Sequence, residues 1–406
     1  MELTPLYKRV IGLDVHHEQV TACAIVDESG ENDSVIFQTF GTFHNDCQRL
    51  AKWAREFRPD LVVMESTGIY WKAVNRALQK EGLKTIVANA RHLKRVPGRK
   101  TDLADSQWLA ILGRAGLVSG SFIVSPDFEH LRLISRQRQK IAGMLISEKN
   151  RLHKVLTDAG VRLSLVVSDL HGVSARQMIK CLVAGGSADE ALSKIHTKLH
   201  TPLEVIRQAL DGDLTASHRF VLCEIMEHIE SLEAAIVRFE EELLSGLVNY
   251  EWALRILETI PGIDRVGAAM LLVETGVDMG VFVDAAKFAS WAGVCPGNNE
   301  SAGKRKSGKL RKGNPYLRRI LCEMANAARR SHSMLKAKYQ SLVIRRGHGR
   351  SIMALAHKLI RVIFALLSKK LPYQDKTIDY DELVVRRQAP RWIRALKKYG
   401  FLAASV

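Results

Sequence analysis

The six cysteines, Cys23, Cys47, Cys181, Cys223, Cys295 and Cys322, form no CxxC pair. Thiols scattered in this way fit neither a zinc ribbon nor a secreted disulfide framework, so reduced cysteines in a cytoplasmic protein are expected. The start, MELTPLYKRV, lacks the apolar run of a signal peptide. No charge-free apolar stretch approaches the ~20 residues that cross a bilayer, so no membrane partner is expected. A Walker A sequence is absent as well, and with it the signature of a nucleotide-driven step. His196 and His200 stand at i, i+4 spacing but lack the glutamate of HExxH, which argues against zinc. Acids are scarce in one place above all. Between Ser301 and Lys370 there are 19 Lys and Arg residues and a single acid, Glu323.

That scarcity explains the charge. The 406 residues carry 60 Lys and Arg against 43 Asp and Glu, a formal net charge of +17. The segment from Ser301 to Lys370 contributes +18 and the remainder sums to −1. A generic solubility surplus would be spread evenly; a concentrated one points to a polyanion, with nucleic acid as the first candidate. Apolar residues at 47% and charged residues at 25% are those of a globular chain and exclude wholesale disorder. The length suits two or three domains.

The first 125 residues alternate strand and helix signals. Val10–Val15, Val20–Val26 and Val35–Phe40 read as three strands with short connections, an antiparallel meander. A helix from Asn45 to Phe57, a strand from Leu61 to Glu65, a helix from about Tyr70 to Glu81 and a strand from Lys84 to Ala88 follow. A last helix begins near Asp102, with Thr101 as its N-cap. The order βββαβαβα predicts a mixed sheet with helices packed on it, as in the ribonuclease H-like fold.

Residues 126–250 change to long helices. Leu222, Ile225, Ile229, Leu232, Ile236, Phe239 and Leu243 are spaced 3-4-3-4-3-4, an apolar seam of coiled-coil period. An intramolecular helical hairpin and an intermolecular coiled coil satisfy it equally, and either makes this third an arm or dimerisation element. Residues 251–371 open with Ile260-Pro261-Gly262-Ile263 between helical stretches, a turn resembling a helix-hairpin-helix whose amides suit a phosphate. The basic segment follows, then a charged tail, 372–406, with no assigned role.

Four carboxylates carry the chemistry of the first domain. Asp14 lies near the end of the first strand and Glu65 ends the strand that begins at Leu61. Asp102 and Asp105, three apart, share one helical face. Taken singly, each has a plainer role, such as helix-dipole partner or exposed strand end. Crowded together, they require neutralisation, which two Mg²⁺ ions sharing oxygen ligands would supply in a two-metal phosphoryl-transfer site. Arg99 and Lys100 add cations beside Asp102. His16 and His17 follow Asp14 and remain unassigned.

The chain resembles the DEDD-type insertion-sequence transposases, relatives of the Piv site-specific invertase whose recent members are guided by a bridge RNA. The matching stretches include Ile11-Gly12-Leu13-Asp14-Val15, Met64-Glu65-Ser66-Thr67-Gly68 and Lys100-Thr101-Asp102-Leu103-Ala104-Asp105. Towards the C-terminus they are Ile260-Pro261-Gly262-Ile263, Phe288 to Pro296, Asn299 to Lys304 and Lys312 to Arg319. The resemblance implies a RuvC-like first domain with Asp14, Glu65, Asp102 and Asp105 as a metal tetrad, and a serine nucleophile that falls on Ser301. It further implies a homo-oligomer, dimer or tetramer, whose composite site joins one subunit's carboxylates to another's serine. A structured guide RNA would pair donor and target DNA, both double-stranded.

By chemistry alone Ser301 and Ser307 compete, since both lie among Lys304, Arg305, Lys306, Lys309, Arg311 and Lys312. These cations, with Arg318 and Arg319, are the expected nucleic-acid contacts. Small neighbours, Ala302 and Gly303, let a DNA backbone approach Ser301. The leading expectation is therefore a DNA recombinase forming a 5′-phosphoserine intermediate. A junction-resolving metal nuclease, a protein-read DNA invertase and a non-catalytic RNA-binding scaffold are the alternatives.

Overall fold

Strands buried on both faces read as nearly unbroken apolar runs, and β1 (Arg9–Val15) has only Gly12 and Asp14 to interrupt its run. The computed structural model of the protein describes residues 5–27, 33–66, 68–88, 102–195, 201–297, 299–301, 304–307, 310, 313–375 and 380–402. The chain divides into two compact units, Met1–Ile123 and Val124–Val406. The first division lies two residues from the one expected at 125/126; those at 250/251 and 371/372 stand as proposals from composition.

In the first unit, β1 is followed by β2 (Gln19–Asp27), β3 (Asp33–Gly41), α1 (His44–Glu56), β4 (Leu61–Glu65), α2 (Trp71–Lys80), β5 (Thr85–Ala88) and α3 (Asp102–Arg114). The sheet order is β3-β2-β1-β4-β5. β1, β2 and β3 form the antiparallel meander, while β4 runs parallel to β1 and β5 parallel to β4. This is the ribonuclease H-like arrangement that the order of elements implied.

Alternation along the strands sorts the residues onto two faces. Ile11, Leu13, Val62 and Met64 pack with Leu50, Ala51, Val74 and Leu78 of α1 and α2. Val10, Cys23, Ile25, Leu61 and Val63 pack on the opposite face with Leu109 and Ala110 of α3. Gly12 lies on that second face, where a Cβ would collide with the Ser106 carbonyl oxygen and the Ala110 amide nitrogen. The bare backbone of β1 therefore lets α3 sit directly on the sheet. Arg114, at the far end of α3, pairs with Asp27 of β2 at 3.0 Å and holds the other end of the helix.

The second unit begins with α4 (Pro126–Asp158). Three short helices follow, α5 (Val173–Val183), α6 (Ala188–Leu192) and α7 (Leu203–Leu210), and then α8 (Ala216–Ser245). α4 and α8 lie antiparallel: Arg138 meets Glu240, Lys149 meets Glu233 at 3.0 Å, and Asp158 meets His218 at 3.2 Å. The apolar seam of α8 is buried, including Leu222, Ile225, Ile229, Leu232 and Leu243. Leu152 and Leu156 of α4 join its first half in one core with Met178, Ile179, Leu182, Ile206 and Leu210 of the short helices. Within the chain the seam is used by an intramolecular hairpin, with Ile236 and Phe239 left part-exposed.

The remaining elements are α9 (Glu251–Glu258), α10 (Arg265–Thr275), α11 (Ala285–Trp291), the hairpin β6 (Asn299–Ser301) and β7 (Lys304–Ser307), α12 (Pro315–Ala328), α13 (Met334–Lys369) and α14 (Tyr380–Lys398). The turn between α9 and α10 packs closely on α12. Gly262 adopts φ 88°, and a Cβ on it would come within 2.7 Å of the Ala328 Cα. Asp264 caps α10, accepting the Gly267 N–H at 2.8 Å. At this helix start the chain's own carboxylate takes an amide that a phosphate was expected to use. α13 is long and apolar enough to cross a membrane, yet its apolar stripe, Leu355, Leu359, Ile360 and Ile363, is buried. That makes it a core helix of this unit.

Candidate active site

The same alternation that builds the core positions the carboxylates. β1 and β4 pair in register from Val10↔Leu61 to Leu13↔Met64. Asp14 and Glu65 are the next residues on the two strands, at their C-terminal ends. Even positions of β1 and odd positions of β4 face α3, so Asp14 and Glu65 share the face that α3 covers. Asp14 is 8% exposed, and Glu65 and Asp105 are half-buried. Gly12, two residues before Asp14, fixes the height of α3 through Ser106. Asp105 precedes Ser106 by one residue and Asp102 precedes it by four, so the first turn of α3 lies towards the Asp14 end of β1. The side chain of Asp102 is outside the described residues, as are Arg99 and Lys100 entirely.

Hard carboxylate oxygens on adjacent strand ends, with one of them largely buried, are the donor chemistry that Mg²⁺ takes. Among the described residues, no three His, Cys, Asp or Glu side chains are gathered closely enough to hold a metal ion. The histidine pair acquires distinct places. The His16 Nε2 lies 2.9 Å from the Asp14 Oδ2, while the His17 ring meets Tyr70 edge-on at 5.2 Å between centroids. Thr42 Oγ1 donates to the His17 carbonyl at 2.8 Å, which ties the β1–β2 turn to the end of β3. Ile69 and Phe43, in the loops that follow β4 and β3, are 73% and 82% exposed.

The candidate nucleophile lies on a different element. β6 and β7 pair antiparallel, with Ser301 opposite Lys304 and Asn299 opposite Ser307. Only Ala302 and Gly303 separate the strands, so the backbone places Ser301 at the tip of a hairpin and Ser307 at its base. A further bridge joins Pro296 to Leu310. Below it the backbones of Gly293 and Gly313 pass so closely that a Cβ on Gly293 would lie 2.8 Å from the Gly313 Cα. Lys304, Arg305 and Lys306 line β7; their side chains, like that of Ser301, fall outside the described set, and Lys309, Arg311 and Lys312 lie wholly outside it.

The two remaining expected contacts are engaged by the protein. Arg318 is half-buried with its guanidinium against Gly293, and Arg319 pairs with Glu323 at 3.0 Å. Sequence reasoning missed a more exposed set. Helix α13 breaks at Gly347, φ 70° and ψ 170°, and Arg345, Arg346 and Arg350 around that break are all exposed. The signal was present in Arg345-Arg346-Gly347-His348-Gly349-Arg350, dibasic and glycine-broken with no acid nearby.

Comparison with known proteins identifies relatives of the whole chain. A DEDD-type IS110 model, described as a transposase, matches residues 11–160. The model of the transposase IS116/IS110/IS902 family matches residues 254–340. A "Probable family 20 transposase" of Pseudomonas aeruginosa is 25% identical over 356 residues, covering 84% of this chain and 96% of the relative. A "Transposase for insertion sequence element IS1111A" of Coxiella burnetii is 25% identical over 375 residues, covering 90% and 91%. Thermus thermophilus RuvC, a solved structure, matches 28% of this chain and 99% of its own length at 15% identity, with a TM-score of 0.23. With one family model on the carboxylate-bearing unit and another across the serine-bearing region, the chain belongs to the IS116/IS110/IS902 family of DEDD-type transposases, and it is a DNA transposase.

Proposed function

We propose that this transposase breaks and rejoins DNA through a covalent phosphoserine, with Asp14, Glu65, Asp102 and Asp105 holding two Mg²⁺ ions and Ser301 attacking the scissile phosphate. The observation that carries the reading is the convergence of Asp14 and Glu65 on the face of the sheet that α3 covers. Bound there, Mg²⁺ would offset the crowded negative charge and stabilise the charge that develops on phosphate oxygens. Asp14 and Glu65, set on rigid strand ends, fix where the phosphate sits. His16, at 2.9 Å from Asp14, orients that carboxylate.

In the chemical step the Ser301 Oγ forms a bond to phosphorus and its proton leaves to solvent. The bond from phosphorus to the 3′ oxygen breaks, and that oxygen takes up a proton as a 3′-hydroxyl. The phosphate stays linked to the 5′ side as a phosphoserine. Attack by another strand's 3′-hydroxyl reverses the sequence and frees the serine. The number of phosphodiester bonds is conserved, so no nucleotide hydrolysis is needed. Lys304, Arg305 and Lys306 along β7 suit the transition-state charge, and Arg345, Arg346 and Arg350 suit the flanking backbone.

The resemblance supports three further parts of the reading: a structured guide RNA, a homo-oligomer in which one subunit's carboxylates act with another's serine, and action in the cytoplasm on donor and target DNA. The test is recombination of donor and target plasmids with Mg²⁺ and co-purified RNA. Asp14→Asn and Ser301→Ala should each abolish it while DNA binding persists. Normal recombination by either variant overturns the proposal. Strand cutting that survives in Ser301→Ala alone indicates hydrolysis by water instead.

A further inference from the structure

Glu274 is 0% exposed, and a carboxylate buried without partners is strongly destabilising. It is surrounded. Arg136 of α4 donates to it through Nε at 2.7 Å and through Nη2 at 2.9 Å. Asn314 Nδ2 donates to its Oε2 at 2.6 Å. Arg132 lies 3.4 Å away and also donates to the carbonyls of Val273 and Glu274.

Asn314 is used at both ends. Its Oδ1 accepts the amides of Tyr316 and Leu317 at 3.1 and 3.3 Å, which caps α12. Only one orientation of the amide both donates to a carboxylate and accepts from a helix start, so its rotamer is fixed. Arg136 adds a stacking contact over the Tyr316 ring, 4.5 Å from the centroid. One residue before Asn314 is Gly313, whose backbone packs on Gly293 at the foot of the β6–β7 hairpin.

We propose that Glu274 and Asn314 form a clamp that positions this hairpin on α4 and α10, and that the clamp sets where its tip, with Ser301, is held. The link to catalysis rests on the reading of Ser301 given above; the clamp itself does not. Both are positioning residues, since neither touches DNA in this scheme. Because Arg132 and Arg136 belong to α4, the clamp also couples the helical arm to the hairpin.

Asn314→Asp tests the clamp in the full chain. Aspartate caps a helix as well as asparagine does, so α12 keeps its start while two carboxylates now oppose each other. Hydrogen exchange of the amides at 299–301 and 304–307 should accelerate about tenfold or more, the scale of one lost charged hydrogen bond. The rate of covalent DNA adduct formation should fall by about the same factor, with DNA affinity unchanged. Adding Glu274→Gln restores a donor facing an acceptor and should recover both. If Asn314→Asp does not fold, Asn314→Ser keeps a capping oxygen, drops the donor to Glu274 and should loosen the same amides. Unchanged exchange in the hairpin, or no recovery in the double variant, overturns the clamp. Exchange that loosens and recovers while adduct formation stays constant upholds the clamp and overturns its link to catalysis, and an adduct mapped elsewhere than Ser301 overturns the role of Ser301 and leaves the clamp standing.

Discussion

A missing methyl group at position 12 decides how closely α3 lies on the sheet of the first unit. Gly12 has no room for a Cβ beneath Ser106 and Ala110, so Gly12→Ala must lift α3 from the sheet. Overpacking of this kind costs about 1–3 kcal/mol. We expect a clear fall in Tm and, because Asp102 and Asp105 ride on the displaced helix, a loss of strand cutting beyond what the lower stability explains. Thermal denaturation alongside a cleavage assay at a temperature where both proteins are folded would show it. A wild-type rate would mean that the placement of α3 does not matter to the chemistry.

At this scale the sequence was legible where a polar residue interrupts an apolar run. Asp14 and Glu65 stood out because they end buried strands. Gly12 was visible only as part of a motif, since the need for glycine comes from a helix about 90 residues further along the chain. The choice between Ser301 and Ser307 was not legible by chemistry, because both are serines among cations. Strand pairing gives them different places, one at a hairpin tip and the other at its base, while the assignment to Ser301 rests on the family resemblance.

Among the elements, the arm shows what a periodic seam can and cannot say. Spacing of 3-4-3-4 in α8 requires an apolar partner helix, and nothing in that pattern states whether the partner lies in the same chain. The answer sits in residues too far apart to pair by inspection: Arg138 with Glu240, and Lys149 and Arg176 with Glu233. The hydrogen bond from Arg176, aided by that of Lys149, lowers the Glu233 carboxyl to about 2. A depressed carboxylate stabilises the folded arm above its ordinary titration range, and that contribution is lost as pH falls through about 4.5 towards 2. Glu233→Gln should therefore lower stability at neutral pH by about 1 kcal/mol after solvent screening and lose little more on acidification. Urea unfolding at pH 7 and pH 3 measures both. An equal loss at the two pH values would show that Glu233 acts by packing rather than charge.

The α9–α10 turn carries a related lesson. Pro-Gly-Ile announced a turn correctly, but the Asp264 cap and the Ala328 contact are tertiary facts that the sequence does not show. Gly262→Ala, at φ 88° and against a backbone, should destabilise this unit by about 1–3 kcal/mol. Asp264→Ala, which frees an amide, should not strengthen DNA binding if the turn is a packing device. Tighter binding in that variant would restore the phosphate-site reading.

Over the whole molecule, the concentration of charge between Ser301 and Lys370 separates two kinds of chemistry along one chain. In the proposed scheme the acids of the first unit hold Mg²⁺ and the cations of the second meet a polyanion. Within that segment the fold partly withdraws Arg318 at the hairpin foot from solvent, and it pairs the exposed Arg319 with Glu323. It leaves Arg345, Arg346 and Arg350 outward at the kink of α13. Nucleic-acid affinity should fall steeply with salt. Replacing those three arginines by glutamine should reduce the slope of log K against log salt by about 2–3, near 0.9 per lost phosphate contact. Titrations across a range of salt concentrations would reveal it; an unchanged slope would place the contacts elsewhere.

The central claim is that Ser301 becomes joined to DNA under the control of the four carboxylates. The most direct measurement is to quench a Mg²⁺-containing reaction on donor DNA, digest the protein, and map any nucleotide-bearing peptide by mass spectrometry. The account predicts a phosphodiester on Ser301, absent in Ser301→Ala and absent in Asp14→Asn. Cleaved DNA with no adduct, or an adduct on Ser307, would contradict it.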